Sequence, residues 1–120
     1  MVIDRYDTID QADPPDVRRP RVADLAALSV GNQDVLRARD TCVRFHEALL
    51  GAESSQRQAR VDLEAATRGD ERHIDPDAAR RISQSIHESE AAIRRARELF
   101  PRCDSEIRGL RDRFGLSHSR

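Results

Sequence analysis

The feature that most constrains this chain is a long run of apolar or small residues spaced alternately three and four apart. From Val35 it reads Val35, Ala38, Cys42, Phe45, Leu49, Ala52, Gln56, Ala59, Leu63, Ala66, and only Gln56 is polar. It resumes as Ala79, Ile82, Ile86, Ser89, Ile93, Ala96, Phe100, Cys103, Ile107, Leu110, Phe114, where only Ser89 is polar. On a helix such positions share one stripe, and a stripe kept over four heptads is the signature of a coiled coil.

The punctuation agrees with two helices, about 32–68 and about 76–114. Asn32 suits an N-cap. Asp75-Pro76 places an aspartate at the cap and proline at the first helical position, where its missing N–H costs nothing. Gly115 suits the C-terminal stop. Pro101 should kink or interrupt the second helix, although the heptad phase is unchanged across it.

Two such helices joined by a short turn should fold back on each other as an antiparallel hairpin. With the turn near residues 72–73, facing residues have numbers summing to 145. The resulting layers put Gln56 opposite Ser89, Cys42 opposite Cys103 and Phe45 opposite Phe100. Elsewhere large residues mostly meet small ones, as in Leu49/Ala96, Ala52/Ile93 and Ala38/Ile107, which favours interdigitation. Each helix should run roughly 50 Å at 1.5 Å per residue. Asp34 should approach Arg113, and Arg39 should approach Asp104.

Residues 1–20 read differently. They hold Pro14, Pro15 and Pro20, with an aspartate at every third position from Asp4 to Asp16. Prolines break helices, so this stretch reads as an extended acidic arm with at most one turn around Ile3–Ile9. Such an arm is either a solvated tail or a strap on a neighbouring subunit, anchored by Val2, Ile3, Tyr6 and Ile9. Residues 21–30 suit a short helix. The expected organisation is therefore an arm (1–20) and an all-α hairpin domain (21–120).

A second stripe widens the apolar face at the base of the hairpin. Leu36, Val43 and Leu50 recur every seven residues on the first long helix, and Ala78, Ser85, Ala92 and Leu99 on the second. Something must cover that base: the chain's own short helix through Leu25 and Leu28, or another subunit. Leu36, Val43, Leu50 and Leu99 are the partner-binding candidates.

Composition excludes more than it proposes. The chain is 36% charged with net charge −1, so no global field favours nucleic acid or membrane. All 21 basic residues are arginine, a bias that reads as a GC-rich genome and weakens arguments from arginine density. Arg94, Arg95, Arg97, Arg102, Arg108, Arg111 and Arg113 crowd the last helix, but acidic residues interleave with them and no aromatic lies free to stack bases. No apolar run reaches the roughly 20 residues of a membrane span, and no charged-then-apolar start marks a signal peptide. A reduced intracellular setting, or the inside of a virion, is the default for two cysteines. Cys42 and Cys103 are then two small buried thiols or a facing pair close enough to join.

Catalytic and metal chemistry find no purchase. No Glu-x-x-His pair exists for a helical-bundle metal site. His46-Glu47 and His87-Glu88 are adjacent pairs that diverge by about 100° on a helix, so both histidines read as solvated. There is no phosphate loop or nucleophile elbow, and Arg68-Gly69-Asp70 is a triplet too short to carry an adhesive function alone. No cofactor is implied. The expectation is a non-enzymatic structural or assembly subunit working through protein contacts and self-association, plausible as a repeated part of a phage particle or bacterial complex. The alternatives are a nucleic-acid-binding or DNA-packaging protein, and a transient adaptor or chaperone.

Overall fold

The computed structural model describes residues 2–68 and 74–115. The order is α1 (Val2–Asp7), α2 (Pro15–Ala27), α3 (Gln33–Thr67) and α4 (Pro76–Arg113). Among the described residues there is no strand. The radius of gyration is 18.3 Å and the extents are 61 × 26 × 23 Å, against roughly 13–14 Å for the radius of a compact domain of this length. The rod expected from the heptads is what the chain forms.

The helix ends follow from their caps. The Asn32 side chain accepts hydrogen bonds from the Asp34 and Val35 amides, at 2.8 and 3.2 Å. Asp75 accepts from the Ala78 amide, and Pro76 opens α4. Gly115, at φ 65°, takes the left-handed position past the last turn, where a side chain would be strained. Within α4, Pro101 does not interrupt the helix. It lies on the exposed side, so water can reach the Arg97 carbonyl that its missing N–H leaves unpaired.

The register of the hairpin is fixed at three levels. Cys42 and Cys103 are joined by a disulfide with their Cα atoms 4.9 Å apart, so the two separate thiols expected by default are one cross-link. The Phe45 and Phe100 rings lie 5.3 Å apart between centroids. Arg113 pairs with Asp34. The neighbouring expectation fails: Arg39 turns to the Leu28 carbonyl and Asp40, and Asp104 pairs with Arg108 instead.

The seam itself is rotated from the heptad reading. At the base it buries large heptad residues, Val35, Phe45, Ile107 and Leu110, but from Ala48 and Ala96 toward the tip its buried members are small: Ala48 and Ala52 on α3, with Ala78, Ser85, Ser89 and Ala96 on α4. Small residues let the backbones approach, and the larger members are displaced to one side. The expected Gln56/Ser89 layer does not form. Gln56 is exposed, while the Ser89 hydroxyl donates to the Ala52 carbonyl one turn away.

The N-terminus departs furthest from expectation, because residues 1–20 are not an extended arm. Pro15 sits at the start of α2, where proline favours a helix rather than ending one. Pro20 lies on the exposed side of the same helix. The turn between α1 and α2 is tied by Arg21, which donates to the Thr8 carbonyl and pairs with Asp13. Val2 and Ile3 are buried, and Tyr6 and Ile9 pack partly buried on the same core. All four anchors therefore hold the chain's own hairpin. Asp7 pairs with Arg111 of α4, closing the base.

Candidate docking groove

The base, where the second stripe pointed to a partner, is already covered. Val43, Leu50 and Leu99 are buried and Leu36 is half-buried. Val43, Leu50 and Leu99 share one cluster with Val2, Ile3, Val22 and Leu25 of α1 and α2. Leu99 lies beside Ala48 as expected, flanked by Arg44, Glu47, Arg95 and Arg102, whose long side chains line that side. The chain's own N-terminal helices fill the role that a second subunit was a candidate for.

The open apolar surface lies elsewhere, on the side to which the rotated seam pushes its large residues. Phe45 and Leu49 of α3, with Ile93, Ala96, Arg97 and Phe100 of α4, line a solvent-open cleft of about 440 Å³, and Gln11 lines it from the turn after α1. Phe100 is 43% exposed. Seven-residue steps continue the same row toward the tip: from Phe100 and Ile93 to Ile86 (45% exposed), and from Leu49 past Gln56 to Leu63 (46% exposed). Apart from Gln11 and Arg97, these residues are heptad positions expected in the seam layers.

A second feature that the sequence did not disclose lies beneath α1 and α2. His46 was expected in solvent, yet it is 2% exposed. Its ring lies 5.8 Å from that of Tyr6 and 5.0 Å from that of Phe45. Neither ring nitrogen has a hydrogen-bond partner among the described residues. Burial, then the neighbouring Arg18 guanidinium, lowers its pKa from 6.5 to about 4. Arg18 is 1% exposed and donates to both Glu53 carboxylate oxygens at 2.7 and 2.6 Å, while its Nε is unpartnered. Burial also raises the Tyr6 hydroxyl above its usual range, helped by Asp104 and Asp7 and opposed by Arg111. The signal was present: Val43, His46, Leu50 and Glu53 share the three-four spacing of a second covered face.

His87 is exposed, as expected. Among the described residues no three histidine, cysteine or acidic side chains gather to hold a metal, and no described helix is long and apolar enough to cross a membrane. The Gly69–Asp70 part of the tip triplet lies outside the described residues. What the groove can do chemically is bury apolar surface. Compared with protein-family models, curated proteins and solved structures, the chain matches none.

Proposed function

We propose that this chain is a non-enzymatic structural or assembly subunit that works by docking protein into the groove on its projecting arm. The observation that carries this is the row of large apolar side chains, Phe100, Ile86 and Leu63, each more than two-fifths exposed on one side of the hairpin. Isolated exposed apolar residues are ordinary, but a contiguous row rimmed by charge marks an interaction surface. A two-helix face of this kind accepts further helices by the same packing that holds the base together.

Direct binding to nucleic acid is the less supported alternative. Of the seven arginines that crowd α4, Arg108, Arg111 and Arg113 are engaged with Asp104, Asp7 and Asp34. That leaves a short, mixed-charge track for phosphates.

The test is adhesion at the groove. The wild-type protein should either self-associate or bind the apolar-surface dye ANS saturably, and Ile93→Asp should abolish that behaviour while far-UV circular dichroism stays helical. If wild type does neither, or Ile93→Asp changes nothing, the docking reading fails.

A further inference from the structure

We infer, resting on the docking reading, that a second copy of this chain covers the arm's part of the apolar row, Ile93 and Ile86 of α4 with Leu63 of α3, laid antiparallel with the twofold axis beside Ile86. The turn after α1 is a shoulder that brings Gln11 to the groove at the level of Arg97 and Phe100. Below that level α1 and α2 pack against the hairpin, chiefly on α3; beyond the Arg18–Glu53 pair only α3 and α4 continue. Two copies set parallel would collide shoulder to shoulder and hold their arms apart. Set antiparallel, each arm fills the step above the other's shoulder. The cross-section is then four helices throughout: α1 to α4 at the base, and α3 and α4 with their equivalents along the arm.

The length of the uncovered arm sets the register. Arg97 at the shoulder and Asp75 at the start of α4 lie 22 residues apart, or about 33 Å of helix. Complete overlap puts the axis midway, at Ile86. That position is apolar and 45% exposed, and it would meet itself across the axis. The same register sets Ile93 beside Ala79 of the second copy, a large residue against a small one. Arg97 and Asp75, chosen as the two ends of the overlap, meet across the copies by construction. Neither Arg97 nor Asp75 has an ion-pair partner among the described residues. The pairing sets the exposed Arg97 beside Asp75, which caps α4 but has no cation partner among the described residues, once on each side of the axis, as a twofold interface requires.

The size is adequate. A face about 33 Å long and two helices wide, roughly 20 Å, offers about 660 Å² per copy, close to the ~800 Å² of a standard interface.

Light scattering after size exclusion should give twice the 13.6 kDa chain mass, and Ile86→Asp should return the mass to that of one chain with helicity retained. Ile86→Cys should form a covalent dimer under mild oxidation, since the native cysteines are already joined. Phe114→Cys, exposed at the base, should not. A wild-type monomer that binds ANS in an Ile93-dependent way overturns self-pairing but leaves the docking reading standing. A monomer with no such binding overturns both. A dimer indifferent to Ile86→Asp, or one that fails to cross-link through Ile86→Cys, overturns the proposed arrangement.

Discussion

Replacing His46 with leucine should remove most of the acid sensitivity of this fold. His46 is neutral when folded, because burial and Arg18 hold its pKa at about 4, whereas in the unfolded chain it titrates near 6.5. As pH falls below about 6.5 the unfolded chain takes up the proton first, so stability is lost progressively and the loss is complete near pH 4. At about 1.36 kcal/mol per pH unit, the full loss is about 3 kcal/mol. Asp34 does not confuse the window. Its hydrogen bond and charge interaction with Arg113 lower its pKa below 3.8, so its contribution is lost only at more acid pH. Urea unfolding followed by circular dichroism at pH 7, 5.5 and 4.5 would measure the effect. Wild type should lose about 2–3 kcal/mol between the first and last conditions, and His46→Leu should lose far less. At pH 7 the variant should be at least as stable, because two unpartnered ring nitrogens leave the interior. Parallel pH curves for the two proteins would refute the burial of a neutral histidine.

Other expectations follow from the same contacts. Arg18→Met removes the cation beside His46, so the histidine pKa, read by NMR titration, should rise; an unchanged value would place Arg18 elsewhere. Leu25→Ala, at a fully buried position, should cost about 2–5 kcal/mol, while Leu49→Ala, only partly buried in the groove, should cost less than half as much. The reverse order in thermal unfolding would contradict the rotated seam. Reducing Cys42–Cys103, which closes a separation of 61 residues, should cost about 4 kcal/mol on the loop-entropy account. A melting temperature indifferent to reductant would show that the bond is absent or carries no constraint.

The hairpin was legible because helical periodicity and capping are local properties of sequence. The layer sum of 145 placed Cys42 against Cys103, Phe45 against Phe100 and Asp34 against Arg113. What it missed was rotational. Seven-residue spacing shows that Leu63, Ile86 and Phe100 share a side, but not whether that side faces the partner helix or stands beside it. Backbone approach decides that, and approach depends on Ala52, Ser89 and Ala96 together. The N-terminus was misread for another reason. Pro15 breaks a helix that precedes it and starts one that follows, and composition alone does not say which. Once α1 and α2 are helical, they have an apolar face to bury, and the Val43–Leu50 flank receives it. The burial of His46 then follows from its place between those two residues.

The Cys42–Cys103 bond also has a topological consequence. It ties α3 to α4 within the base that α1 and α2 cover, so the whole projecting arm belongs to one covalently closed ring. A single peptide-bond cleavage anywhere from residue 43 to 102 opens that ring without releasing a fragment. The cut protein keeps its mass until a reductant separates the two strands. The projecting arm is thus the part whose cleavage leaves the molecule in one piece.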